Sequence, residues 1–159
     1  FKTGFLLRVL ANAQKGGKTV VIFDSENAVD PDSATAAGLD ITKVKYVPCV
    51  SIEQTRNALY KFLTSVQEKK LQGRFIIAID SLGNMESQLQ INRQTKGNVS
   101  ADMGSRAKAM KSLLRTLTQL SGLTKTTILA TNHIYECTNS NEPGQKGSSW
   151  ENYKVGVEE

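Results

Sequence analysis

Phe75-Ile76-Ile77-Ala78-Ile79-Asp80-Ser81 is an unbroken apolar run, rich in β-branched residues, that stops on a carboxylate and a hydroxyl. A strand buried on both faces reads this way, and such strands belong to parallel sheets covered by helices. Two other runs repeat the pattern: Val20-Val21-Ile22-Phe23 ends in Asp24-Ser25-Glu26, and Thr127-Ile128-Leu129-Ala130 ends in Thr131-Asn132-His133. In open α/β sheets ligands sit outside the carboxyl ends of the strands, so three polar strand ends point to one shared site.

Helical patterns separate these strands. From Gly4 to Gln14 the apolar residues Phe5, Leu6, Val9, Leu10 and Ala13 recur at helical spacing, and Lys15-Gly16-Gly17-Lys18 closes the helix. Pro31-Asp32-Ser33 begins a short helix ended by Gly38, and Lys43 to Pro48 reads as a strand. Ser51-Ile52-Glu53-Gln54 resembles a helix start, with Ile52, Leu59, Phe62, Leu63 and Val66 on one face. Residues 84–101 hold no sustained period, so Asn92 to Ser100 is expected to be a loop. Asp102 is placed to cap a helix running to about Leu120, with Met103, Ala107, Met110, Leu113, Leu114 and Leu117 inward, and the last strand spans about Thr126 to Thr131. Strand-helix alternation of this kind predicts an α/β fold, a mostly parallel sheet with helices on both faces.

The 159 residues suffice for one core, and 39% apolar with 22% charged content is ordinary for a globular chain. No apolar run approaches the ~18 residues of a membrane span. Cys49, Cys137 and the single histidine have no metal-ligand spacing, which argues against zinc and for a reducing, cytoplasmic setting. Phe1-Lys2-Thr3 already belongs to a strand-to-helix junction, so the chain is expected to be a fragment. Its N-terminal strand would be missing from mid-sheet, leaving the 159 residues inactive by themselves.

Charge is uneven. Residues 90–118 carry six bases, Arg93, Lys96, Arg106, Lys108, Lys111 and Arg115, against the one acid Asp102, a net +5 that equals the excess of the whole chain. A basic loop feeding a basic helix is a phosphate-backbone footprint or a solvated, subunit-facing surface.

The chemistry follows from the strand ends. A Lys-Thr pair opening a helix is the tail of the G-x-x-x-x-G-K-[ST] loop, whose backbone amides cradle phosphates while the lysine reaches the β/γ-phosphates and the hydroxyl holds Mg²⁺. Lys2 and Thr3 supply that tail, with Phe1 where glycine normally stands. Asp80 is where a second phosphate-site strand presents a carboxylate to the metal. Glu26, two residues past a strand end, could orient a water on the γ-phosphate, and His133 could sense that phosphate.

Phe-Asp-Ser-Glu, Ile-Asp-Ser-Leu-Gly-Asn, Ala-Lys-Ala-Met-Lys-Ser-Leu-Leu-Arg and Asn-His-Ile-Tyr-Glu together resemble the P-loop ATPase core of the RecA recombinases, most of all their T4-type phage branch. The likeness runs from Phe1 to about Glu136. It implies that Lys2 and Thr3 meet phosphates and Mg²⁺, that Glu26 activates the attacking water, that Asp80 meets the metal through water beside Ser81, and that His133 senses the γ-phosphate. Lys2, Glu26 and His133 are thereby the catalytic candidates. The loop after Asp80 corresponds to the first DNA-binding loop, which places Arg93, Lys96 and Arg106 near single-stranded DNA. Two departures stand out: Ser33 occupies roughly the position of an adenine-stacking tyrosine, and residues 138–159 match the second DNA-binding loop poorly.

The expectation is a partial RecA-like core over residues 1–137 and a polar tail over 138–159. Its implied activity is that of an ATP- and Mg²⁺-dependent recombinase acting in homologous pairing, strand exchange and repair. The implied partners are single-stranded DNA, further copies in a helical filament, and phage single-strand-binding and mediator proteins, in the cytoplasm of an infected bacterium. A hexameric helicase and a non-catalytic filament-packing module are the alternatives. A dinucleotide oxidoreductase could use Asp24 or Glu26 on a ribose, yet no G-x-G-x-x-G is present.

Overall fold

The computed structural model describes residues 2–97 and 103–133. The chain runs α1 (Lys2–Lys15), β1 (Thr19–Asp24), α2 (Pro31–Ala36), a 3₁₀ turn (Ile41–Lys43), β2 (Lys45–Pro48), α3 (Ile52–Glu68), β3 (Phe75–Asp80), α4 (Gln88–Thr95), α5 (Met103–Thr124) and β4 (Thr127–Ala130). The expectations placed on Phe1, on Asp102 as a cap, and on the 138–159 tail fall outside the described residues.

All four strands are parallel, in the order β2-β1-β3-β4. The sheet therefore has the predicted class. It has no internal gap: β1 pairs with β3 and β3 with β4 directly, so among the described residues only β2 and β4 form edges. The gap expected between two of these strands is therefore not seen among the described residues.

Side chains alternate across β1 and β3 because successive residues point to opposite faces. Val20, Ile22, Ile76 and Ala78 pack against Leu6, Leu7 and Leu10 of α1, while Val21, Phe23, Ile77 and Ile79 pack against Leu59 and Leu63 of α3 and Leu113 and Leu117 of α5. These two layers are the predicted helices on both faces. Caps fix where helices begin: Asp30 accepts from the Ser33 amide at 2.8 Å with Pro31 opening α2, and Ser51 accepts from the Gln54 amide at 3.2 Å ahead of α3.

Three sequence expectations fail locally. Residues 88–95 form α4 rather than leading into an open loop at Asn92; its Ser87 and Gln90 make a capping box, and Glu53 of α3 accepts from the Gln88 amide at 2.9 Å. Ala107 is exposed and Leu114 is 45% exposed, the inward row of α5 being Leu113 and Leu117 with Ala109, Met110 and Leu120 partly buried beside them. Phe5 is likewise exposed, the buried stripe of α1 being Leu6, Leu7, Leu10 and Ala11.

Candidate functional site

The parallel register sets Asp24 level with Asp80, and Ala130 level with Ile79, so Thr131 comes level with Asp80. Backbone bonds continue the ladder past the strands: the Ser25 amide donates to Asp80 O at 2.7 Å, the Thr131 amide to Ile79 O at 3.0 Å and the Leu82 amide to Thr131 O at 2.9 Å. The three polar ends predicted from sequence therefore lie side by side at the carboxyl ends of the strands, and α1 brings Lys2 and Thr3 to them.

Asp80 is fully buried, and a carboxylate in that position needs its oxygens satisfied. The Thr3 hydroxyl donates to its Oδ2 at 2.7 Å, and the Thr131 hydroxyl donates to its Oδ1. The Asp80–Ser81 peptide is cis. Ser25 clasps the next residue, accepting from the Ser81 amide at 3.0 Å and donating to Ser81 O at 2.8 Å, while Asn84 Nδ2 donates to Ser25 O at 2.9 Å.

Beside this pair lies a second cluster. Glu26 Oε1 accepts from Ser81 Oγ at 2.5 Å, stands 2.6 Å from His133 Nε2 and is 4.0 Å from Lys2 Nζ. Lys2 Nζ in turn lies 2.9 Å from His133 Nδ1 and 3.1 Å from Nε2. An ionised carboxylate only accepts, so the contact with Glu26 places a proton on His133 Nε2, while the Lys2 ammonium stands nearly equidistant from the two ring nitrogens. The Ser81 hydroxyl first, then His133 and the Lys2 charge, hold the Glu26 carboxyl below the usual glutamate range. It is therefore ionised at neutral pH, the state an acceptor of a water proton requires.

Asp24 builds the loop that carries Glu26. It is fully buried, and its Oδ1 accepts from the Glu26 amide at 2.9 Å while Oδ2 accepts from the Val29 amide and the Tyr46 hydroxyl, each at 3.1 Å. Burial, with the Asp24 carboxylate next, pushes the Tyr46 phenol up. Thr131, a short hydroxyl one residue past an apolar run, is the other side chain that satisfies Asp80.

The basic candidates lie elsewhere. Arg93 is in α4 and Lys96 is its exposed C-cap. Arg106 is anchored on backbone carbonyls: its Nε donates to Met85 O at 3.0 Å, and its Nη2 to Gly83 O at 2.8 Å and Leu82 O at 3.3 Å. Lys108, Lys111 and Arg115 are exposed along α5. Among the described residues no cluster of three or more His, Cys, Asp or Glu is arranged for a metal, and no helix is long and apolar enough to cross a membrane. The oxygen donors Thr3 and Asp80 nonetheless suit Mg²⁺, a hard ion held by one or two protein ligands together with substrate phosphates.

Fold and strand-end chemistry define a RecA-like α/β core. Residues 1–139 match the RecA N-terminal domain family, and the chain belongs to it. It is 30% identical over 138 residues to the recombination and repair protein of Enterobacteria phage T4, covering 86% of this chain and 34% of that protein. It is 34% identical over 135 residues to protein RecA of Fusobacterium nucleatum, covering 85% of this chain and 33% of that protein. The chain thus spans about a third of the length of these relatives.

Proposed function

We propose that this chain is the ATPase core of a recombinase that binds ATP with Mg²⁺, hydrolyses it, and couples that cycle to single-stranded DNA. The observation that carries the reading is the meeting, at the carboxyl ends of the strands, of the Thr3–Asp80 pair with the Lys2–His133–Glu26 cluster. Lys2 is the cation for the β/γ-phosphates, and Thr3 and Asp80 would hold the magnesium ion. Magnesium when bound neutralises phosphate charge. Glu26 orients the attacking water, with Ser81 and His133 fixing the carboxylate between them. His133 faces both Lys2 and Glu26, which suits a residue that registers whether the phosphate position is filled.

Arg93 and Lys96 carry the proposal of DNA contact, as bases in the segment that holds the charge excess. By likeness to the phage branch, the whole protein assembles as a helical filament on single-stranded DNA and serves homologous pairing, strand exchange and repair. Single-strand-binding and mediator proteins are its partners in the cytoplasm of an infected bacterium.

The test is made on the full-length protein. ATP hydrolysis is expected to rise on adding single-stranded DNA. Replacing Arg93 and Lys96 together by alanine should weaken DNA binding and reduce the log-log salt slope by roughly 0.7 for each lost phosphate contact. ATP binding without DNA should survive, because neither residue lies at the strand ends. A double variant with the parent's affinity and salt slope would return that surface to solvent or to subunit packing.

A further inference from the structure

Arg106 opens an unexpected connection. Its guanidinium fans onto three consecutive-loop carbonyls, those of Leu82, Gly83 and Met85, immediately after the strand that ends in Asp80 and Ser81. Gly83 in turn lies against the end of β4. A Cβ built on it would fall 2.8 Å from Asn132 Oδ1, 2.9 Å from His133 Cδ2 and 3.3 Å from the His133 amide. No side chain fits there without moving His133 or its backbone. Arg106, Gly83, Asn132 and His133 line one groove of about 210 Å³. On its far side, His133 meets Glu26 at 2.6 Å and Lys2 at 2.9 Å.

From this contiguity we propose that Arg106 is a positioning residue for His133. By pinning the Leu82–Met85 carbonyls, it presses the bare Gly83 backbone against the imidazole and holds the ring on Glu26. Arg106 stands in the first turns of α5, directly after the basic segment proposed to meet DNA, and Ser105 beside it lies 3.0 Å, hydroxyl to hydroxyl, from the cap of α4 at Ser87. A displacement of α4 and the start of α5 would therefore reach the imidazole through one side chain and one glycine. Lysine cannot replace the arginine, since a single ammonium cannot reproduce the planar fork that spans separate carbonyls. The inference rests on the functional reading above and adds the path by which the DNA-facing segment acts on the nucleotide end. Coupling of this kind is established by a shared response of variants along the path, not by adjacency alone.

The experiment uses the full-length protein and three variants, Arg106→Lys, Arg106→Ala and Gly83→Ala. Three quantities are measured: single-stranded DNA affinity with its salt slope, the ratio of ATP turnover with and without DNA, and the rate at which diethyl pyrocarbonate modifies His133, followed by mass spectrometry. In all three variants the DNA stimulation ratio should fall at least ~5-fold, the low end of ordinary coupling energies, with DNA affinity and salt slope retained. His133 should be modified faster than in the parent, since its ring nitrogens lose their settled partners. Arg106→Lys behaving like Arg106→Ala is the signature of the fork. If lysine restores the parent's values while alanine lowers the salt slope, Arg106 is a phosphate contact and the inference is overturned. Equal His133 reactivity in parent and Gly83→Ala would overturn it as well. A parent with no DNA-stimulated hydrolysis brings down the functional reading itself, whereas a stimulated parent matched by all three variants removes only the inference.

Discussion

Glu26→Gln in the full-length protein is expected to slow ATP turnover by ~10² or more while nucleotide affinity changes little, the pattern for loss of a group acting on the attacking water. Glutamine keeps the length and can still accept from Ser81 Oγ, so the change isolates charge from shape. Single-turnover hydrolysis beside calorimetry of nucleotide binding separates the two effects. Unchanged hydrolysis would leave Glu26 as a brace for Ser81 and His133 alone. The same variant has a pH signature. Because Ser81 and His133 hold the folded carboxyl below its usual range, its contribution to stability is present above the unfolded-state value and is lost as pH falls through the folded one. Urea midpoints measured through that acid window should fall less steeply in Glu26→Gln than in the parent.

Asp24→Ala should cost about 2–4 kcal/mol, from a buried acceptor lost to the Glu26 and Val29 amides and the Tyr46 hydroxyl. For a chain of this size that is a fall in Tm of roughly 6–12 °C. Asp24→Asn retains one carbonyl acceptor and the side-chain shape, so it should lose clearly less. Removing a buried charge returns some desolvation free energy, but its former partners stay in place without it, and that term dominates when only one member of a network is deleted. The loop from Asp24 to Val29 is wound tightly around this carboxylate, with Asn27 at φ 51°, a left-handed conformation asparagine tolerates. Thermal and urea unfolding of the three proteins decide the matter: equal stability of Asp24→Ala and parent would show that the loop holds Glu26 without it.

The strands and their polar ends were readable because buried parallel strands carry a dense composition signal and a ligand edge carries an abrupt change to polar residues. Glu26, Asp80, Ser81 and His133 could be named on that ground, Lys2 and Thr3 from the Lys-Thr pair opening a helix, and the structure brings them together. Other parts gave weaker signals. Helix α4 has no buried residue, so periodicity is silent, and only Ser87 and Gln90 at capping-box spacing marked its start. Leu114 was expected inward because sequence spacing does not tell how wide a stripe a neighbouring edge strand can cover. The carbonyl contacts of Arg106 could not be foreseen, because backbone oxygens are the same in every residue and leave no trace in a sequence. Asp24 shared that fate in part, as two of its three donors are backbone amides.

The level alignment of Asp24, Asp80 and Thr131 also constrains how this site can change over time. A side chain two positions along a strand is displaced by nearly 7 Å, and a slip of one position turns it to the opposite face. An insertion or deletion inside β3 would thus unmake the Thr3–Asp80 meeting, and one inside β1 or β4 the Glu26–His133 meeting, however well the core repacked. Insertions in the connections at the opposite, amino-terminal ends of these strands, such as Lys15 to Lys18 or Lys69 to Arg74, leave every one of those distances untouched. Variation in length among functional descendants of this sequence is therefore expected to collect at the end of the sheet remote from the chemistry, with the strand interiors conserved in count even where they drift in composition.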